Sequence, residues 1–572
     1  MSGPKINPSS HHRAQHVETN RTDKASHASA RHDRPRHNAD RRSDAAAIRH
    51  VASQSRADSA HDIRKTAAAP DRRLDDDLRL ARTGAHLGGP RAARPDHGER
   101  LVAVTDLGVT TERQLRSTKE ATFIRRVTEP PCGGRPVQRL VIDTGAGDDT
   151  VRVEPNRGEN RGRFPLAVTV NGERHLISRA EAGRLSIRAG VGDDRIVVGE
   201  GVRVSVKLQG GDGDDRIRGG SGNDRIDAGR GDDRVEGGAG DDVMTGRSGR
   251  DYINGSRGDD RVAGGRGNDV IYGGNGRDRL VGDAGNDYLE GSRGNDRLYG
   301  NDGTDVLSGG RGDDALRGGA QRDVMYAGLG RDRLYGGADR DEFYAQASAD
   351  AVMDGDGDAI YTVEIIAALG TTSVRVDPNS SAEFRERVEA DLDMLRSSPV
   401  GIQMLREHDL AYARSRGHNS VTITQTGDDN GYAEPLGDRR VELDERGNPG
   451  RGEAVRISYN PQWNMFEGRD PADPAEDWKD LDPVTVLYHE MAHSYNMVTG
   501  TLQTGTFDDP GGVDDGVNNA ERQAMGLPNH GVAFDNDRDP STPRSSDNRR
   551  ELTENGFRDE LGRPEAPTYR PE

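Results

Sequence analysis

The sequence predicts a multidomain chain in which a disordered N-terminal arm precedes a parallel β-roll and a compact α+β domain. Three observations support this organisation. Arginine and histidine dominate the first part of the chain, an aspartate recurs every nine residues through the middle, and helical and strand patterns mix after it. We expect a disordered arm over 1–100, a β-rich lead-in over 101–209, the roll over 210–344, its cap over 345–380 and the C-terminal domain over 381–572.

The composition leaves little material for a conventional core. Of the 572 residues 31% are hydrophobic and 4% aromatic, 75 are glycine, and the net charge is -19. Cys132 is the single cysteine, so neither an internal disulfide nor a cysteine-based zinc site can form. No apolar run reaches the roughly 18 residues of a membrane span. The segment after Met1 lacks the apolar stretch of a cleavable signal peptide, so export would use another route.

The arm contains ten of the sixteen histidines, at His11, His12, His16, His27, His32, His37, His50, His61, His86 and His97. Their irregular spacing and the scarcity of apolar neighbours favour a solvated, disordered segment over a metal site. The arm also lacks interleaved aromatic residues and a regular helical pattern. We therefore expect no nucleic-acid partner, despite its positive charge.

Runs of β-branched residues between the arm and the repeat predict strands at 140–142, 166–170 and 202–206. Glycine-rich turns that end in Asp149 and Asp194 lie between them and anticipate the repeat. The lead-in is therefore expected to be rich in β-strands.

The repeat has an aspartate at every ninth position from Asp215 to Asp341, and an apolar residue two positions after each one. Glycine stands two positions before most of these aspartates, and Gln321 and Asp339 replace it near the end. The pattern resembles the Gly-Gly-x-Gly-x-Asp-x-U-x nonapeptide, where U is apolar, of calcium-binding repeats-in-toxin (RTX) proteins. Glycine permits tight turns that bring carbonyl oxygens near an ion, and aspartate supplies the hard oxygen that calcium prefers.

Two nonapeptides form one coil, so aspartates eighteen residues apart lie in adjacent coils, about 5 Å from each other. Each such pair of carboxylates would repel by about 0.8 kcal/mol even in water. We therefore expect several structural calcium ions and a roll that folds only with them. The expected calcium ligands are Asp215, Asp224, Asp233, Asp242, Asp251, Asp260, Asp269, Asp278, Asp287, Asp296, Asp305, Asp314 and Asp332.

Helical and strand patterns characterise the C-terminal domain. Apolar spacing predicts a helix over 381–395 and a strand over 455–459. A second helix is predicted over 484–497, because Asp482 and Pro483 suit an N-cap and the first helical position. These elements predict an α+β domain.

A metal-binding motif lies on the second of these helices. His489 and His493 are four residues apart and share one helix face, so both can bind a single zinc ion. Glu490, directly after the first histidine, can take a proton from an attacking water and pass it to the leaving amine. The motif therefore indicates hydrolysis at a zinc centre.

Three blocks of the C-terminal sequence resemble the effector-type zinc metallopeptidases of the NleD/HopH type. The blocks are residues 487–496, 519–528 and 552–562, in the order found in that family. The resemblance implies a zincin-like α+β metallopeptidase domain.

The resemblance also implies roles for individual residues. It makes His489 and His493 zinc ligands and Glu490 the general base. Glu521 is the best candidate for a third zinc ligand and Glu554 is the competing carboxylate. Tyr569 is suggested as a hydrogen-bond donor to the oxyanion.

Together these patterns predict a secreted bacterial zinc endopeptidase of the effector or toxin type. It would contain one catalytic zinc and several structural calcium ions, and it would cleave a protein of a host or of a competitor. Its expected partners are that substrate and a bacterial export machinery, and it is expected to be a monomer. A site of action inside a host cell is left open.

Two other functions remain open at this point. The chain could be a calcium-dependent RTX adhesin or matrix protein with an inactive peptidase-like domain. It could instead process itself. Bound zinc together with hydrolysis would favour the enzyme.

Overall fold

A computed structural model of the chain shows a long β-solenoid with a mixed α and β domain packed against one of its sheets. The structure describes residues 100–105, 108–130, 135–353, 357–427, 432–437, 439–461, 482–504, 506, 519–527, 529 and 548–566. The predicted arm up to residue 99, Cys132 and Tyr569 lie outside these residues. Within the part described, no helix is long and apolar enough to cross a membrane.

The solenoid is built from two facing sheets. Its strands are β1 (Arg100–Thr105), β2 (Gly108–Ser117), β3 (Thr122–Glu129), β4 (Val137–Ala146), β5 (Thr150–Pro155), β6 (Leu166–Val170), β7 (Glu173–Ile177), β8 (Leu185–Val191), β9 (Arg195–Val198), β10 (Lys207–Asp212), β11 (Arg216–Arg218), β12 (Arg225–Arg230), β13 (Arg234–Ala239), β14 (Val243–Ser248), β15 (Tyr252–Arg257), β16 (Arg261–Arg266), β17 (Val270–Asn275), β18 (Arg279–Ala284), β19 (Tyr288–Arg293), β20 (Arg297–Asp302), β21 (Val306–Ser308), β22 (Ala315–Ala320), β23 (Val324–Tyr326), β24 (Arg333–Gly337), β25 (Glu342–Ala345), β26 (Ala351–Val352) and β27 (Ala359–Thr362).

Successive strands of the repeat alternate between the two sheets. The first sheet has the order β1-β2-β3-β4-β8-β10-β12-β14-β16-β18-β20-β22-β24-β26, and the second has the order β27-β25-β23-β21-β19-β17-β15-β13-β11-β9-β5-β6-β7. Strands one coil apart pair in parallel, with Ile226 opposite Met244 and Val235 opposite Ile253. The predicted parallel β-roll is confirmed.

Antiparallel strands lie at the N-terminal end of both sheets. The strands β1 to β4 pair antiparallel in sequence, and β5, β6 and β7 do the same on the second sheet. A short helix, α1 (Arg179–Ala182), precedes β8. Parallel stacking begins with β4 against β8 and continues to β25 against β27. The stacked coils thus extend on both sides of the segment with the regular nine-residue period.

The predicted strand at residues 202–206 is wrong. These residues form no strand, although Val202 and Val206 are buried. They lie one coil before the turn at residues 220–224, and the Val206 N–H donates to the Asp224 carboxylate at 2.8 Å. The segment therefore occupies a turn position, where its apolar side chains fill the interior without forming a ladder.

The interior of the roll is a column of apolar side chains, one from each strand of the repeat. Each is at most 2% exposed: Ile217, Ile226, Val235, Met244, Ile253, Val262, Ile271, Leu280, Leu289, Leu298, Leu307, Leu316, Met325, Leu334 and Phe343. These are the residues two positions after each aspartate, as the sequence pattern predicted. The column is only one side chain wide in each strand, so the interior is thin.

The C-terminal domain combines helices with a small sheet. Its elements are β28 (Val374–Val376), α2 (Ala382–Ser397), α3 (Pro399–Arg414), β29 (Val421–Gln425), β30 (Tyr432–Pro435), β31 (Val455–Tyr459), α4 (Pro483–Thr499), α5 (Asn519–Met525), a 3-10 helix (Arg550–Leu552) and α6 (Glu554–Glu560). The strand order is β28-β29-β31-β30, with β30 antiparallel. The predicted α+β class and the two predicted helices and strand are confirmed as α2, α4 and β31.

The second sheet presents apolar side chains outward where this domain packs. Five of them directly follow a repeat aspartate and are at most 4% exposed: Tyr252, Val270, Tyr288, Val306 and Val324. They share one core with residues of α2, α3 and α4. The same position on the first sheet is mostly arginine, at Arg225, Arg261, Arg279, Arg297 and Arg333. The two faces of the roll therefore differ, and one of them forms part of the core of the C-terminal domain.

A buried cation lies within this interface. The Arg387 guanidinium of α2 stands 3.0 Å from the centroid of the Tyr272 ring and donates to the Tyr252 hydroxyl at 3.3 Å. It also pairs with Asp391 at 2.6 Å. The tyrosine faces of the roll and a carboxylate of the helix thus compensate one buried charge, which fixes how the two parts meet.

A glycine substitution tests the close stacking of the coils. Gly294 has φ 152°, and an added Cβ would lie 1.4 Å from the Gly276 carbonyl oxygen in the preceding coil. Gly294→Ala should destabilise the calcium-loaded roll by at least about 2 kcal/mol, from crowding and backbone strain together. Gly147→Ala is the control, because φ is 103° there but an added Cβ would have no atom of the described residues within 4 Å. Equal losses in urea unfolding would contradict the stacking.

Candidate metal centres

Each repeat aspartate directs its carboxylate into a turn of the roll. One oxygen of Asp224 accepts the Val206 N–H. In the other repeat aspartates one oxygen accepts the N–H of the aspartate in the preceding coil, as between Asp215 and Asp233 at 2.8 Å and between Asp224 and Asp242 at 2.6 Å. Aspartates eighteen residues apart therefore form a continuous ladder, and the roll has one ladder along each edge.

The second carboxylate oxygen of most of these aspartates is buried without a partner among the described residues. This applies to Asp215, Asp233, Asp242, Asp251, Asp260, Asp269, Asp278, Asp287, Asp296, Asp305, Asp314 and Asp332. Asp224 differs, because its second oxygen accepts the Gly220 N–H at 2.9 Å. Burial raises the pKa of Asp260 and of Asp314 to about 9. An unpaired buried carboxylate is costly, and these hard, anionic oxygens suit calcium.

Glycine keeps the turns open around these oxygens. A Cβ added at Gly246 would lie 1.9 Å from the Asp251 Oδ2, and one at Gly300 would lie 2.1 Å from the Asp305 Oδ2. Any larger residue would fill the space beside the carboxylate. The residues of the turns therefore fit a bound cation.

The ladders extend beyond the predicted calcium ligands. The Asp149 N–H donates to Asp194, the Asp194 N–H donates to Asp215, and Asp323 occupies the same kind of position downstream. The glycine-rich turns before Asp149 and Asp194 were the sequence signal. Gln321 replaces a glycine before Asp323, but it adopts the left-handed φ of 73° itself, so the turn is preserved.

A second cluster lies in the C-terminal domain, where α5 brings Glu521 to the two histidines of α4. The Nε2 atoms of His489 and His493 are 3.0 Å apart. The Glu521 Oε2 lies 3.0 Å from His493 Nε2 and 3.5 Å from His489 Nε2. Ligand atoms around a tetrahedral zinc stand about 3.3 Å apart. The three atoms thus match three corners of a zinc tetrahedron and leave the fourth corner for water or substrate.

Glu554 contacts His489 from the opposite side. Its Oε2 accepts a hydrogen bond from His489 Nδ1 at 2.7 Å, so Nε2 is the ring nitrogen that faces Glu521 and His493 and is available to a metal. Arg558 holds the other carboxylate oxygen at 2.5 Å. Burial alone would raise the pKa of Glu554, but Arg558 and His489 lower it to about 2. The two carboxylates that the sequence left in competition therefore take different positions, and Glu521 is the one on the ligand side.

The histidines also keep Glu521 ionised. Burial would raise the pKa of Glu521, but the neighbouring His493 and His489 lower it well below its usual range. An ionised carboxylate is the form that binds a metal. The donor set of two imidazoles and one carboxylate therefore fits zinc.

Glu490 lies beside the cluster without joining it. Its side chain is 6% exposed, and its Oε2 is buried with no hydrogen-bond partner in the described part of the chain. Burial raises the pKa of Glu490. A carboxylate with a raised pKa and an unused oxygen is suited to accept a proton.

The fold and these sites define a class of protein in which a parallel β-roll, with turns that fit calcium, carries an additional α+β domain. More particularly, residues 372–569 match the Peptidase_M91 family, described as effector protein. Six stretches between residues 209 and 352, most of them overlapping, match the family described as the RTX calcium-binding nonapeptide repeat (4 copies). The match of the C-terminal region to this family implies a peptidase, and the two matches confirm both resemblances noted in the sequence. A search of curated proteins gave no match.

Calcium removal tests the ladders. At neutral pH, circular dichroism of the calcium-depleted chain should show coil, and the strand signal should return when calcium is added to about 0.1–1 mM.

The strand content of the calcium-free chain should also depend on pH. Because burial raises the aspartate pKa values, to about 9 for Asp260, the protonated forms stabilise the calcium-free fold and this contribution is lost as the pH rises through those values. The calcium-free chain should therefore contain more strand at about pH 5 than at about pH 9. A complete strand spectrum without calcium at the higher pH would contradict the calcium requirement.

Zinc titrations of single variants test the two glutamates. Glu521→Ala should remove most zinc binding, because it deletes a ligand. Glu554→Gln should weaken zinc binding by about 10–100-fold, because it disturbs the carboxylate that orients His489. The exposed Glu551, changed to Gln, is the control. A larger loss for Glu554→Gln than for Glu521→Ala would reverse the assignment.

Proposed function

We propose that the protein is an exported bacterial zinc-dependent endopeptidase of the effector type, which cleaves a protein of a host or of a competitor. The observation that carries the proposal is the spacing of His489 Nε2, His493 Nε2 and Glu521 Oε2, which lie 3.0–3.5 Å apart. The match to a peptidase family supports it independently. An inactive adhesin would not require this geometry.

Zinc bound at these three atoms would act as a Lewis acid towards the scissile carbonyl and would favour deprotonation of water. Glu490 would accept the proton of the attacking water at its unpartnered oxygen and return it to the leaving amine. Glu554 holds the proton on His489 Nδ1 and so keeps the Nε2 lone pair directed into the site. In this proposal Glu490 performs the proton transfer and Glu554 orients the ligand His489.

The roll supports a place of action outside the producing cell. RTX repeats and an effector family both suggest secretion. Since the aspartate ladders need cations, the roll would remain unfolded where calcium is scarce and would fold where calcium reaches the millimolar range. An exported chain that folds after leaving the cell fits this requirement. The substrate protein and the export machinery remain parts of the proposal.

Replacement of Glu490 by glutamine tests the chemistry. Gln keeps the size and polarity of the side chain but removes the basic oxygen, so kcat should fall about 10²–10⁴-fold, or about 3–5 kcal/mol of transition-state stabilisation. Zinc content, measured by elemental analysis, should stay at the parent level. His489→Ala and His493→Ala should lose the zinc.

The activity itself is measured on a proteome. Active and Glu490→Gln proteins, both loaded with calcium and zinc, are incubated with the same proteome, and new N-termini are compared. Cleavage products restricted to the active protein would identify the substrate. A Glu490→Gln protein that cleaves at a comparable rate would falsify the proposed mechanism, and fragments of the chain alone would indicate self-processing.

A further inference from the structure

The segment after α6 connects the roll to the helix that carries the two histidines. The Arg563 guanidinium forms two hydrogen bonds with the Asp482 carboxylate, at 2.9 and 3.1 Å. It also donates to the backbone carbonyls of Thr304 at 3.0 Å and of Asp287 at 3.3 Å. Thr304 and Asp287 belong to successive coils. One side chain therefore joins two coils of the roll to the start of α4.

Asp482 is the N-cap residue of α4, but its carboxylate does not cap its own helix. An N-cap aspartate usually accepts an N–H of the first helical turn; here Arg563 takes both of its oxygens. The two side chains are only 8% and 12% exposed. Loss of either partner would leave a largely buried charge, which is strongly unfavourable. The start of α4 is thus anchored to the roll and not only to its own backbone.

Helix α6, directly before this segment, reaches the histidines at its N-terminal end and the roll at its C-terminal end. Glu554 orients His489, and Glu560 accepts a hydrogen bond from the Tyr326 hydroxyl of the roll at 3.0 Å. Residues 554–563 therefore contact the roll on one side and α4 on the other. They form a physical connection between the turns and the histidine pair.

The roll partners of Arg563 lie in one aspartate ladder. Asp287 is itself an expected calcium ligand, and Thr304 directly precedes Asp305 in the same ladder. Without cations the neighbouring carboxylates repel and the coils lose their register. Both carbonyl acceptors of Arg563 would then be lost together.

We propose that Arg563 is a positioning residue that couples the roll to α4, so that zinc binds tightly at His489, His493 and Glu521 only when the roll is folded with calcium. This inference rests on the proposed zinc site. Coupling between two sites is reciprocal, so zinc should equally favour calcium binding.

The test measures the zinc affinity of the full chain by competition with a chromophoric zinc indicator. Titrations with zinc chloride are made in calcium-depleted buffer and in saturating calcium chloride, and circular dichroism reports whether the roll is folded. Calcium should tighten the zinc Kd of the wild type by roughly 10-fold or more, within the range typical of coupled sites.

Three variants assign the coupling. Arg563→Gln should lose a measurable part of the calcium effect on the zinc Kd, although the shared hydrophobic core still couples the roll to the domain, and it should keep the calcium-induced strand spectrum. Arg563→Lys should recover part of the effect, because lysine keeps the charge but cannot bridge as a planar fork. Arg311→Gln is the matched control: Arg311 also joins the roll to the domain, through Asp393 at 2.9 Å, but it acts on α2. It should keep the full effect.

The outcomes separate this inference from the proposed function. A zinc Kd that is the same with and without calcium would overturn the coupling and leave the zinc site standing, whereas no zinc binding in either buffer would overturn the zinc site. Full calcium dependence in Arg563→Gln would overturn the role of Arg563.

If the Arg563→Gln variant does not fold with calcium, the reciprocal measurement, the effect of zinc on calcium binding, decides. Zinc must lower the calcium midpoint of strand formation in the wild type, and Arg563→Lys must reduce the shift; no shift overturns the inference.

Discussion

Buried aspartates are stacked one coil apart along both edges of the roll, and their carboxylates cannot remain both charged and unpaired. The folding of the roll, and of the domain packed on it, depends on how these carboxylates are paired or neutralised. One oxygen of each carboxylate is used in the ladder, which fixes the register of the coils, as between Asp215 and Asp233. The other oxygen is left to a cation or a proton. Because the apolar interior is one side chain wide, the cations contribute what a thicker core would otherwise supply.

The C-terminal domain also depends on the folding of the roll. Its sheet has four strands in the described residues, and its core continues into the tyrosines and valines on the outer face of the second sheet. The buried Arg387 finds its partners on both sides of that boundary, in Tyr272 and in Asp391. The peptidase domain is therefore not an independent unit beside the roll, since part of its hydrophobic core belongs to the repeats.

Much of the fold and part of the site were predictable from the sequence, for identifiable physical reasons. The nine-residue period gives the interior column directly, and four-residue spacing places His489 and His493 on one helix face. The strand predicted at residues 202–206 was wrong, because alternation of apolar and polar residues alone does not distinguish a strand from an apolar turn. The different positions of Glu521 and Glu554 depend on how α5 and α6 pack against α4, which local patterns do not contain.

The apolar outer face of the second sheet, against which the C-terminal domain packs, was visible in the sequence, but only at a period of eighteen. Read every nine residues, the position after each aspartate mixes arginine with tyrosine and valine. Read every eighteen, it separates into a mostly arginine face and, from Tyr252 to Val324, an apolar face. Deleting one nonapeptide would therefore exchange the faces of all later coils, exposing the apolar residues and turning arginines towards the domain. Only whole pairs of repeats can be gained or lost without inverting the roll, so its length is quantised in units of two nonapeptides.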